Sequence, residues 1–185
     1  MSNATRPCWH AVRAALIGLA LAVGVARAHA QALGGDAAAK AKLVTTLARF
    51  VQWPAGTFDS ESTPLRMCVF SGSATVDRAF QSQQGALIGA RPLLTLLNPA
   101  APAKGCHVLF FDESALVSLD RALKGSAGEP AFTVGTHDGF VSDGGMVEIV
   151  HVDNALRFDF NLIALRDAGL GINPGVLKLA RQVRQ

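Results

Sequence analysis

Five imidazole and carboxylate side chains gather late in the chain: His137, Asp138 and Asp143, then His151 and Asp153. Histidine beside carboxylates is the composition of an acid–base pair or a divalent-metal site, because imidazole titrates near neutrality and both groups offer lone pairs to a cation. The spacing is that of neither. No H-E-x-x-H places two imidazoles on one helical face, and no serine sits in a G-x-S-x-G elbow. With nothing to make the five converge they are expected to be solvated loop residues, His137-Asp138 being the best placed because they follow a strand, where open α/β sheets put their ligands. Cys68, Cys106 and His107 form a second set. Zinc would need further ligands and redox chemistry a closer pair such as C-x-x-C, so neither a metal nor a cofactor is expected, nor a catalytic set.

The glycines Gly139, Gly144 and Gly145 suggest a ligand-cradling loop. A phosphate loop requires a strand before its glycines and a helix directly after, and here a strand follows. Leu156, Phe158 and Phe160 alternate with Arg157, Asp159 and Asn161, the period of a half-buried strand. With Asp153-Asn154 as a two-residue turn, 139–161 reads as a glycine-rich lead into a β-hairpin. The three apolar residues are expected in the core and the alternate ones on a polar face. Ser71-Gly72-Ser73 lacks a phosphate-loop pattern and reads as an N-capped turn into a helix.

The elements that position these residues follow from periodicity and punctuation. Asp36 is an N-cap for a helix over about 37–51 with Leu43, Leu47, Phe50 and Val51 inward, ended by Pro54, so that Trp53 closes the core edge. A strand over 65–70 contains Cys68, and a helix over 74–82 follows. Pro92 and Pro99 bound a strand over 91–97 at a sheet edge. Val108-Leu109-Phe110-Phe111 is apolar throughout, the mark of a central strand buried on both faces. A helix from Asp112-Glu113-Ser114 with Leu116, Leu119 and Leu123 on one side stops before Gly125, and a strand over 131–135 leads to His137. After the hairpin, a helix over 162–168 ends at Gly169, and Asn173-Pro174 opens a last helix through Val183. The sum is a single α/β domain, a mixed β-sheet of about six strands flanked by helices, ending in a hairpin and two helices.

The amino terminus is of a different kind. Arg6 and Arg13 precede the apolar run Ala14 to Val25, and Ala28-His29-Ala30 has the A-x-A form of a signal-peptidase site, with Ala32 offering a second. The run is shorter than the roughly 20 residues that span a bilayer, so residues 1–30 are expected to be a cleaved leader and 31–185 an exported domain that does not span a membrane. Of 17 Lys+Arg against 14 Asp+Glu, Arg6, Arg13 and Arg27 belong to the leader, which leaves 14 of each sign. Without a basic cluster there is no electrostatic footprint for nucleic acid. Cys8 leaves with the leader, so Cys68 and Cys106 remain as an even pair in an oxidising compartment and are expected to be bridged.

Several strings in one order carry a family likeness: Arg49-Phe50-Val51-Gln52-Trp53-Pro54, Met67-Cys68-Val69, Gly105-Cys106-His107-Val108-Leu109-Phe110, Gly144-Gly145-Met146, Leu156-Arg157-Phe158-Asp159-Phe160-Asn161-Leu162, Ala168-Gly169-Leu170 and Leu177-Lys178-Leu179-Ala180. Together they resemble the YfiR family of periplasmic proteins over nearly all of 31–185. The resemblance implies a small periplasmic α/β domain, often a homodimer, with a disulfide between the positions of Cys68 and Cys106. It also implies repression by binding to the periplasmic part of an inner-membrane diguanylate cyclase, which limits cyclic di-GMP and biofilm formation. This chain lacks the second cysteine pair that better-known members carry in their carboxyl-terminal half. For such a partner the expected contact residues are Phe140, Val141 and Met146 around the glycines, and Trp53. The competing readings are a small-molecule sensing module with a pocket near Gly135 to Asp138, serving another receptor, and an exported hydrolase centred on His137 and Asp138.

Overall fold

The computed structural model describes residues 35–101, 103–123 and 129–185. The leader with its cleavage sites, and Gly125, lie outside these. Contacts divide the chain after Asp36, and Ala37 to Gln185 form one unit. In chain order the elements are α1 (35–48), β1 (Val51–Gln52), β2 (Leu65–Phe70), α2 (Ala74–Gln81), β3 (Leu87–Ile88), β4 (Arg91–Leu97), β5 (Val108–Phe111), α3 (Leu119–Leu123), β6 (Phe132–Gly135), β7 (Val147–Val152), β8 (Ala155–Asn161), α4 (Leu162–Asp167), β9 (Gly171–Ile172), α5 (Pro174–Leu177) and β10 (Gln182–Arg184). Eight strands form one mixed sheet in the order β10-β8-β7-β6-β5-β2-β4-β3, and β1 pairs antiparallel with β9 in a separate two-stranded sheet.

β5 is central and parallel to both neighbours, as its continuous apolar run requires. Its residues alternate between two cores. Val108 and Phe110 join Met67, Val69, Phe132 and Val134 in the larger one, covered by α1, while Leu109 and Phe111 join Cys68, Phe70 and Phe140 in the smaller one beneath α3. The hairpin is as expected: Val152 pairs with Ala155 across Asp153-Asn154, whose φ angles of 48° and 57° are those of a type I′ turn. Phe158 and Phe160 are buried and Leu156 is partly so.

Four expectations differ. α1 already includes residues 35 and 36, so Asp36 is not its cap, and it ends at 48, before the β1–β9 pairing begins at Val51. Its buried face is Ala37, Ala41, Val44, Leu47 and Ala48, and Phe50 is exposed. β4 is not outermost, because β3 pairs with it. The missing N–H of Pro92 does not matter there: Leu93 donates to Ala86 O (2.8 Å) and accepts from Gly85 N (2.9 Å).

The helix expected from Asp112 begins only at Leu119. The Asp112 carboxylate accepts from Ser114 N at 3.1 Å and from Ser114 Oγ, a local turn that competes with helix, and Leu116 is left 95% exposed. The last helix stops at Leu177. Arg181 then donates its backbone N–H to Phe158 O (2.9 Å) and its guanidinium to Asp159, which lays β10 parallel to β8 with Val183 opposite Phe160. The strands missed by pattern, β1, β3, β9 and β10, have two or three residues each, too few to show a period.

Candidate functional site

The carboxyl ends of β5 and β6 meet the loop 139–145 beside an open cleft. The loop is built around Phe140, which is fully buried. A Cβ on Gly135 would lie 2.4 Å from Phe140 Cδ2, and one on Gly145 would lie 2.2 Å from Cδ1 and Cε1. Both glycines are therefore the space the ring occupies, and Gly144, at φ +95°, supplies the turn between ring and strand. Phe111 and His137 complete the pocket, with ring centroids 5.8 Å and 5.0 Å from that of Phe140.

The polar face of the hairpin holds this loop in place. Glu148 is buried, and its Oε1 and Oε2 accept from Gly139 N (3.2 Å) and Val141 N (3.1 Å). Asn161 donates Nδ2–H to Val141 O (2.9 Å) and caps α4 by accepting from Ala164 N (3.1 Å). Asp159, cross-strand from Glu148, is buried against the Arg181 guanidinium, whose pKa this hydrogen bond raises. Only Arg157 of the alternating trio is exposed, so the polar face expected in solvent is largely an internal clamp, because loop and carboxyl terminus cover it. Asn161→Ala is expected to lower the unfolding free energy by about 1–2 kcal/mol, the usual cost of an N-cap, with faster amide exchange at Val141 and Ala164. Unchanged exchange at Val141 would show that Glu148 holds the loop alone.

Beside the loop, an open cleft of about 410 Å³ is floored by Phe111 and walled by 115–120 on one side and His137 and Asp143 on the other. His137 Nε2 lies 3.5 Å from Asp143 Oδ2, both groups well exposed. Asp138 is exposed next to them. His151 and Asp153 do not join: they lie further along β7 and its turn, about 10 Å or more of strand beyond Glu148. Among the described residues no three His, Cys, Asp or Glu side chains come together as a metal would need.

Of the contact residues expected from sequence, Phe140 and Met146 are corrected. Both are buried, Phe140 between Gly135 and Gly145 and Met146 in the larger core, where Met146 N donates to Thr133 Oγ1. Val141 remains half-buried at the loop rim, and Trp53 half-buried against the core edge. The residue that sequence reasoning passed over is His107. It packs edge-on against Trp53 and tilted against Phe58, with centroids 5.9 Å and 4.6 Å away. Its place beside Cys106 drew attention only as a metal ligand, and no local signal tied it to Phe58.

Cys68 and Cys106 are bridged, with Cα atoms 5.9 Å apart. Cys68 lies within β2 opposite Leu109, and Cys106 lies two residues before β5, so the bridge ties β2 to the start of its neighbour on the Phe140 side of the sheet. Among the described residues no helix is long and apolar enough to cross a membrane.

Among solved structures, the chain is similar to the ABC domain from Streptococcus pneumoniae in complex with L-Trp, at 12% identity and a TM-score of 0.45, over 65% of this chain. That match spans just over half, 56%, of the other chain. The YfiR/HmsC-like family model matches residues 37–181, from α1 to the arginine that pairs with Asp159, and the chain therefore belongs to the YfiR/HmsC-like family.

Proposed function

We propose that this protein is exported to the periplasm, where it binds the periplasmic sensor part of an inner-membrane diguanylate cyclase and holds the enzyme inactive, lowering cyclic di-GMP and biofilm formation. Membership of the YfiR/HmsC-like family over 37–181 carries this reading. Repression of this kind needs no chemistry. A binder that moves its partner from mostly active to mostly inactive needs about 5.5 kcal/mol of preference for the inactive form, which side-chain contact alone supplies. Val141 and Trp53 are the contact residues we assign to that surface, since both keep part of their area accessible. Deleting the gene is expected to raise intracellular cyclic di-GMP and surface adhesion, and an unchanged level in the deletion strain would overturn the proposal.

A second reading, a small-molecule sensing module for another membrane receptor, is favoured by the cleft beside His137 and Asp143. A saturable rise in melting temperature with one metabolite, lost on Asp143→Ala, supports it.

A further inference from the structure

The segment from Trp53 to Pro64 joins β1 to β2 without regular structure and lies across the start of β5. It is tied down through one imidazole and one guanidinium. The backbone N–H of Arg66 donates to His107 Nδ1 at 2.9 Å, and the Thr57 backbone lies near enough to the ring to favour its charged form. Phe58 leans on the same imidazole, while the Arg91 guanidinium sits 3.8 Å from the Phe58 ring centroid and donates to Glu61 O and Thr63 O at 3.1 Å each. Trp53 meets both Phe58 and His107 edge-on.

This arrangement accepts one protonation state. With Nδ1 as an acceptor the ring must be neutral, because a proton there would face the Arg66 N–H, donor against donor. We propose that His107 is a pH-sensitive clasp, holding the 53–64 segment closed while neutral and releasing it, with Trp53 and Phe58, when protonated.

The surrounding charges work in the same direction. Arg66 from β2 and Arg91 from β4 oppose a positive imidazole; Glu129, ahead of β6, favours one but is engaged in accepting from Gly105 N at 2.9 Å. On the segment itself, Asp59 and Glu61 are exposed. Burial is the largest influence and, with the two arginines, lowers the His107 pKa below its ordinary 6.5, outweighing the Thr57 backbone. The open segment leaves the imidazole nearer its ordinary value. The open form therefore binds the proton more readily, and closure is lost as pH falls below 6.5, down to the lowered value of the closed form. Above 6.5 the clasp is fully engaged. The device stands on this geometry and does not depend on which partner the protein binds.

The test is amide hydrogen exchange of the purified protein from about pH 7.5 to about pH 5, corrected for intrinsic rate, alongside an NMR titration of the His107 Cε1–H. Protection of 53–64 should fall by about tenfold for each unit by which closure lowers the His107 pKa, with its midpoint tracking the His107 titration. Amides of β5 and β6 should hold their protection. In His107→Gln, whose amide can accept and donate but does not titrate, the step should vanish. Loop protection that stays flat while His107 titrates, or the same step in His107→Gln, overturns the clasp. Should that variant fail to fold, the wild-type comparison of loop and imidazole midpoints decides alone, and midpoints that disagree reject the proposal.

Discussion

Phe140→Ala is expected to lower the unfolding free energy by about 3–5 kcal/mol. The ring is fully buried and fits against two glycines whose own Cβ atoms could not coexist with it, so its removal leaves a void that neither neighbour fills. The reverse substitution is equally informative. Gly145→Ala has no φ penalty, yet its Cβ would fall 2.2 Å from the Phe140 ring and 2.7 Å from the Phe140 carbonyl oxygen. Overpacking of this kind costs about 1–3 kcal/mol. Because most of that clash is with the ring, the double variant should be less destabilised than the sum of the two by about 0.5–3 kcal/mol. Urea midpoints of the four proteins give the answer. Additivity would mean that ring and glycine are not in contact as described.

Reducing the Cys68–Cys106 bridge should cost about 4 kcal/mol. The bond closes a loop with a sequence separation of 38, and chain entropy scales with the logarithm of that length. Both cysteines are buried and the bridge ties β2 to the chain entering β5, neighbouring strands in the interior of the sheet, so the native state gains little freedom when it is cut. The stabilisation therefore lies in the unfolded chain. The prediction is a lower denaturation midpoint in dithiothreitol, with native secondary structure retained at zero denaturant. A midpoint insensitive to reductant would place the bond's role elsewhere.

What the sequence made legible and what it hid divide along physical lines. β2 and β4 could be bounded to the residue, and β5 and the hairpin nearly so, because their apolar periods run for four residues or more and their ends carry proline, glycine or Asp-Asn signals. Phe140 was hidden: an aromatic between glycines reads as an exposed knob until the sheet shows that Gly135 and Gly145 make its socket. Glu148, Asp159 and Asn161 alternate with apolar residues, as a solvated face would, and only the return of loop and carboxyl terminus over that face turns them inward. The leucine spacing after Asp112 is that of a helix, but a two-residue side-chain turn at Ser114 won over it. His107, Arg91 and Phe58 are separated by tens of residues, and their meeting is a product of the parallel β4-β2-β5 arrangement alone.

The borders of the main sheet have a bearing on how the protein meets others. One margin is the two-residue β3 and the other the three-residue β10, which ends in Arg184 just after the Asp159-bound Arg181. Strands so short expose too few unpaired amides to template an incoming chain, and flanking charge discourages one further. Neither outermost strand is long enough to seat an incoming strand along its own length, and each covers only part of its neighbour, β3 only Arg91 and Pro92 of β4 and β10 only Asp159 to Asn161 of β8.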